Sequence, residues 1–176
     1  MIYYRLRGHE LQNDVQTMVQ VFYPNLHYYR TEEISAEETT VESSVEKGIA
    51  SAMLYRRGEQ VSAWSVPYTE PLTEKEKKRL VKLTIFALLS RETGMYPRWG
   101  LLTGVRPAKI VNTLLSEGKS DEECLRYLTE KYLVAQQKAE LTLKVAKAER
   151  RLLAGNEKTD TLNITDGSGT TAQVAG

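Results

Sequence analysis

Cysteine and histidine are scarce in this 176-residue chain. Cys124 is the single cysteine, and His9 and His27 are the only histidines. One thiol forms no internal disulfide and cannot supply the several ligands of an iron–sulfur cluster or a cysteine-rich zinc site. Two histidines are too few for a histidine-rich metal site. We therefore expect no metal centre and no cofactor held by this chain alone.

Long apolar runs and an excess of one charge are also missing. The longest apolar stretch, Leu80 to Leu89, contains Lys82 and is far shorter than the roughly 20 residues needed to cross a bilayer. Residues 1–10 do not have the pattern of a secretory signal. With 24 basic and 23 acidic residues, the net charge of +1 gives no overall attraction for nucleic acid or anionic lipid. We expect a cytoplasmic globular protein that contacts no membrane and no nucleic acid.

The first 96 residues mix strand and helix patterns. Residues 1–7 and 26–31 are rich in β-prone side chains and predict two strands. Between them lies a helix whose apolar residues recur every three or four positions: Leu11, Val15, Met18, Val19 and Phe22. Residues 32–42 lack an apolar period and predict a loop or a weak strand edge. Residues 45–57 and 61–68, joined around Gly58, predict a β-hairpin.

Four further helical patterns follow residue 72. Thr73 with Glu76 forms a capping-box pattern that starts a helix ending at Gly94. Helical patterns then cover residues 105–116, 121–132, where Ser120 and Glu123 repeat the capping box, and 136–153. The polar residues 155–176 predict a disordered tail. The sequence thus predicts an α+β fold: a small sheet with two packed helices in domain 1–96, a three-helix segment in 97–154, and the tail.

The segment from Trp99 to Lys109 is the most unusual local sequence. It reads Trp-Gly-Leu-Leu-Thr-Gly-Val-Arg-Pro-Ala-Lys and sets Pro107 in the first turn of a predicted helix. Basic side chains beside the free amides of a helix start favour a carboxylate or phosphate. The segment therefore suggests an anion or substrate site formed by Trp99, Thr103, Gly104, Arg106 and Lys109.

A structural explanation of the same residues stays open. Gly100 and Gly104 would permit tight turns, and Trp99 would fill the junction between the sheet and the helices. Arg106 would then pair with an acidic neighbour such as Glu117 or Glu122. Helix starts with charged neighbours are common, so this explanation is favoured.

The same segment resembles a known family. Residues 99–107, with Lys109, Leu114-Leu115-Ser116-Glu117-Gly118 and Lys131-Tyr132-Leu133, are similar to the Trp-Gly-x-Leu-Thr-Gly-x-Arg-Pro region of HemZ-type oxygen-independent coproporphyrinogen III oxidases. The resemblance implies porphyrin biosynthesis and an accessory region that precedes a radical S-adenosylmethionine barrel. In that family, three cysteines of the barrel hold an iron–sulfur cluster, and S-adenosylmethionine is the cofactor.

The cysteine pattern of the barrel is absent here, so no catalytic residue carries over. We expect a truncated, catalytically inactive accessory region whose partners would be a catalytic radical S-adenosylmethionine domain or a tetrapyrrole substrate. The iron–sulfur cluster and the cofactor are expected only in the full-length family. An alternative from another class is a stand-alone RNA- or protein-binding module that uses Lys78, Arg106 and Lys109.

Overall fold

The computed structural model describes residues 1–103 and 106–165, with side chains described as far as Asn156. Contacts group this chain into two compact units. The first joins residues 1–105 with Thr129–Ala135, and the second joins Arg106–Leu128 with residues from Gln136 onward. Backbone hydrogen bonds tie the Trp99 region to residues 132–135 of the same unit.

The first unit is built on a five-stranded mixed sheet. Its strands are β1 (Ile2–Arg7), β2 (Tyr28–Arg30), β3 (Thr39–Glu46), β4 (Ile49–Arg56) and β5 (Glu59–Pro67). Their order across the sheet is β2-β1-β3-β4-β5. Strand β1 is parallel to both of its neighbours, β2 and β3. The remaining pairs, β3 with β4 and β4 with β5, are antiparallel.

Two helices pack on this sheet and form the core with it. Helix α1 (Gln12–Phe22) buries Val15, Met18, Val19 and Phe22, the face that the sequence predicted. Helix α2 (Glu74–Thr93) begins after Thr73 and ends at Gly94, which adopts a left-handed conformation. The rings of Phe22 and Phe86 meet edge to face, 5.7 Å apart, between the two helices. The α+β fold class is confirmed.

The sequence missed the strand at the centre of the sheet. Residues 32–42 were expected to form a loop or a weak strand edge, but β3 is paired on both sides from Thr39 onward. Its buried side chains include Thr40, Glu42 and Ser43, which give no apolar alternation to detect. The hairpin of β4 and β5 around Gly58 is confirmed, while Lys47 and Gly48 turn the chain between β3 and β4.

The second unit is helical. Its helices are α3 (Pro107–Ser116), α4 (Asp121–Arg126) and α5 (Gln136–Thr165). The capping box before α4 is confirmed: the Ser120 amide donates to Glu123 Oε2 at 2.7 Å, and the Glu123 amide donates to Ser120 Oγ at 3.2 Å. Beyond α4 the chain continues as a π-helical turn, Tyr127–Lys131, instead of the α-helix predicted to residue 132.

Helix α5 is longer than the sequence predicted. It continues to Thr165, so residues 155–165 are helical where a disordered tail was expected. Extending an existing helix adds a hydrogen bond for each residue fixed, and one interior glycine costs only about 1 kcal/mol, which a formed helix tolerates. The part of the expected tail after Thr165 lies outside the described residues. Among the helices of the described chain, none is both long and apolar enough to cross a membrane.

Candidate functional site

The Trp99 region folds back on itself in tight turns. The Gly100 amide donates to the Pro97 carbonyl at 3.0 Å, and the Leu102 amide donates to the Trp99 carbonyl at the same distance. Gly100 has a φ of +55°, a conformation that side-chain-bearing residues rarely adopt. The turns direct Leu101, which is 1% exposed, into the core of the first unit.

Two backbone hydrogen bonds join this region to residues 132–135. The Leu101 amide donates to the Tyr132 carbonyl and the Ala135 amide donates to the Arg98 carbonyl, both at 2.8 Å. A Cβ on Gly100 would lie 2.5 Å from the Leu133 carbonyl carbon and closer still to the Tyr132 oxygen. Only glycine fits at this position, which supports the structural role predicted for Gly100.

A groove lies between α1 and the Trp99 region. Its volume is about 420 Å³, and it is open to solvent. Apolar groups provide most of the accessible lining, and the Trp99 side chain on the wall is 37% exposed. The nine lining residues are Thr17, Gln20, Val21, Pro97, Arg98, Trp99, Gly100, Leu102 and Thr103. Below, this feature is called the Trp99 groove.

Polar side chains of the Trp99 groove are neutral or basic. The hydroxyl oxygens of Thr17 and Thr103 are 3.4 Å apart, within hydrogen-bonding reach of each other. Gln20 and Arg98 are exposed at the surface. Within the described residues, Arg98 makes no ion pair. The groove can therefore offer a hydrogen-bonding surface and a positive charge to an apolar ligand.

The predicted site residues are divided between the two units. Trp99 and Thr103 line the Trp99 groove, and Gly104 lies outside the described residues. Arg106 and Lys109 belong to the second unit, where both are exposed. The anion site that would combine all five residues remains a prediction.

Arg106 belongs to a small group of interacting polar side chains in the second unit, with Glu149 and Asn112. Its Nη2 lies 3.7 Å from Glu149 Oε1 on α5. The other carboxylate oxygen of Glu149 accepts a hydrogen bond from Asn112 Nδ2 at 3.1 Å. Arg106 therefore pairs with an acidic side chain, as the structural explanation expects, but the partner is Glu149 and not Glu117 or Glu122. Residues 149 and 106 are distant in sequence, so only the fold could identify this pair.

Three polar groove residues, Thr17, Gln20 and Arg98, escaped the sequence analysis. Arg98 adjoins Trp99 and could have been included on that ground. Thr17 and Gln20 are three positions apart on α1 and so share a helix face, but no pattern links that face to residue 99.

The residues present do not fit an iron–sulfur cluster. Cys124 is fully buried in α4, and burial raises the pKa of its thiol, with Asp121 and Glu123 adding to the effect. A cluster needs several thiolates, and the chain has one cysteine. Within the described residues, no group of three or more histidine, cysteine or acidic side chains could hold a metal ion.

The fold and the Trp99 groove thus define an α+β unit with an open, mainly apolar groove. The chain is 35% identical over 91 residues to the oxygen-independent coproporphyrinogen-III oxidase-like protein HemZ of Bacillus subtilis (strain 168). This alignment covers 49% of the chain and 18% of the relative. The resemblance to HemZ predicted from the sequence is confirmed. The chain spans less than a fifth of the relative's length, no protein-family model matches it, and no solved structure is significantly similar.

Proposed function

We propose that this chain is a non-catalytic accessory region of a HemZ-like coproporphyrinogen III oxidase in porphyrin biosynthesis. The similarity to HemZ is the observation that carries the proposal. The unsuitability of Cys124 as a cluster ligand supports the non-catalytic role, because radical S-adenosylmethionine chemistry would need a cluster from another part of such a protein. The expected cytoplasmic location belongs to the same proposal.

The accessory role consists of positioning substrate for the catalytic part. The docked Trp99 region supports this role, because hydrogen bonds and a close backbone contact hold Trp99 at the edge of an open groove. A binding surface on a fixed backbone loses less conformational freedom when it meets its ligand. The proposal includes the activity of the whole enzyme, coproporphyrinogen III oxidation, and its cofactor, S-adenosylmethionine.

A restoration experiment tests the function. Bacillus subtilis HemZ would be prepared without the segment that aligns with this chain, and anaerobic conversion of coproporphyrinogen III would be measured before and after adding the purified chain. We expect activity to rise with added chain and to saturate. A Gly100→Val variant, whose side chain would overlap the backbone of Tyr132 and Leu133 and so prevent correct folding, is the negative control and should give no rise. Conversion that is unchanged at saturating chain would contradict the proposal.

A second assay tests whether the chain is non-catalytic. The purified chain would be incubated anaerobically with iron, sulfide and a reductant, and then examined for cluster absorbance and for cleavage of S-adenosylmethionine. We expect neither. A bound cluster together with cofactor cleavage would overturn the accessory role.

A further inference from the structure

We infer that the Trp99 groove binds one edge of an apolar ring system that carries a carboxylate, with Arg98 binding the carboxylate. The inference rests on the proposed function, which supplies the kind of ring. It adds the binding site on the protein and the residue that anchors the carboxylate. It differs from the anion site predicted at the start of α3, because Arg106 is paired with Glu149.

The volume and lining of the groove indicate an apolar ligand. Val21, Pro97 and Leu102 line the groove together with the partly exposed Trp99 side chain. A volume of about 420 Å³ falls within the range of small-molecule sites, roughly 300–1,000 Å³. Because the groove is open, it suits one edge of a large ring and leaves the rest accessible.

The charge of the groove indicates an anion. None of its nine lining residues is acidic, and Arg98 is the basic residue among them. The nearest acidic residue along α1, Asp14, is engaged by Lys82, whose Nζ is 3.5 Å from its Oδ1. The hydroxyls of Thr17 and Thr103 add neutral hydrogen-bonding groups.

Arg98 differs from most arginines of its unit in lacking a carboxylate partner within the described chain. Five others are paired with glutamates: Arg5 with Glu42, Arg7 with Glu46, Arg30 with Glu10, Arg56 with Glu92, and Arg79 with Glu76. A guanidinium presents two parallel N–H groups to a carboxylate, which gives strong and directional binding. An unpaired guanidinium beside an apolar groove therefore suits a ligand that combines a ring with a carboxylate.

The test uses coproporphyrin III, a stable planar tetrapyrrole with carboxylate side chains. A Trp64→Phe background leaves Trp99 as the reporting indole, so quenching of its fluorescence reports binding, and the Arg98→Gln variant tests whether that binding takes place in the groove. We expect saturable quenching, binding about tenfold weaker after Arg98→Gln, and the same weakening when the uncharged tetramethyl ester replaces the acid. Arg151→Gln, which removes an exposed arginine of α5, is the matched control and should leave the affinity unchanged.

The outcomes separate this inference from the proposed function. Equal affinity of the Arg98→Gln variant and its parent, with matching circular dichroism spectra, would overturn the role of Arg98. An absence of quenching would overturn the groove as the site. Either result, together with successful restoration of the shortened HemZ, would leave the accessory function standing. Tight binding without restoration would instead remove the accessory function and keep the site.

Discussion

Lys131 Nζ lies 3.0 Å from Glu76 Oε1, an ion pair between the first turn of α2 and the stretch that holds the Trp99 region. Glu76 also donates its amide to Thr73 Oγ1 at 3.2 Å, the expected cap of the helix. Its carboxylate, however, contacts Lys131 and Arg79. The glutamate of this predicted capping box therefore links two parts of the first unit.

Lys131→Met should weaken the first unit modestly at neutral pH. Both partners are about a third exposed, so we expect a loss of about 0.5 kcal/mol in the free energy of unfolding. The Lys131 hydrogen bond is the main cause that lowers the pKa of Glu76 from 4.5. The stabilisation is thus fully present above pH 4.5 and is lost as the pH falls through the lowered pKa. Urea unfolding of both proteins at pH 7 and pH 3 measures this, and an equal loss at both values would assign the effect to packing.

Gly100→Ala should destabilise the protein severely. The added methyl group would overlap the backbone of Tyr132 and Leu133, so we expect a loss of more than about 3 kcal/mol, or failure to fold. Gly94→Ala is the matched control, because Gly94 also has a positive φ of +71° but nothing lies within 4 Å of its Cβ position. Its cost should be about 1 kcal/mol from backbone strain alone. Thermal unfolding compares the two, and similar losses would remove the close-contact argument.

His9 should make the protein less stable in mild acid. Its side chain is 8% exposed; Nδ1 accepts the Leu11 amide at 3.1 Å, and Nε2 is 3.0 Å from Ser43 Oγ. Burial is the main cause that lowers the pKa of this imidazole from 6.5, and Lys77 acts in the same direction. The hydrogen bond with Ser43 and the charges of Glu10 and Asp14 act against it. As the pH falls, His9 therefore binds a proton in the unfolded chain before it does so in the folded chain. The free energy of unfolding decreases as the pH drops from about 6.5 through the lowered pKa.

His9→Gln tests this behaviour, since glutamine can make both hydrogen bonds but does not titrate. Unfolding free energies between pH 7.5 and pH 5 should decline less steeply in the variant than in the parent. Parallel curves would show that other groups cause the acid sensitivity.

RNA should not be retained by this protein, contrary to the alternative of an RNA-binding module. The arginines of β1 are paired across the sheet, Arg5 with Glu42 at 3.3 Å and Arg7 with Glu46 at 3.7 Å. In the basic run that opens α2, Lys77 and Arg79 are paired with neighbouring glutamates, although Lys78 is exposed. We expect no mobility shift with single-stranded RNA at low salt, where phosphate contacts are strongest. A shift that disappears at high salt would revive the alternative.

Much of the fold follows from local patterns. The buried face of α1 repeats every three or four residues, and Ser120 with Glu123 sets the start of α4, so both were predictable. Strand β3 was not, because its central position buries Thr40, Glu42 and Ser43, whose polar character indicates the surface. Their burial depends on partners in neighbouring strands, which the sequence of residues 39–46 does not reveal.

The candidate site shows the same limit. The Trp-Gly pair marked the right segment, and Trp99 and Thr103 do line a groove. Thr17 and Gln20 come to the same groove only because α1 packs beside residues 97–103. Likewise, the partner of Arg106 is supplied by α5, more than forty positions later along the chain.

Because the first unit is assembled from two separated stretches of chain, neither unit can be obtained by a single cut. A fragment ending at residue 105 would keep the whole sheet yet leave the Leu101 amide and the Arg98 carbonyl without the groups that meet them near residue 133. Expression of the α+β part therefore calls for a short engineered connection that replaces α3 and α4 and retains residues 129–135.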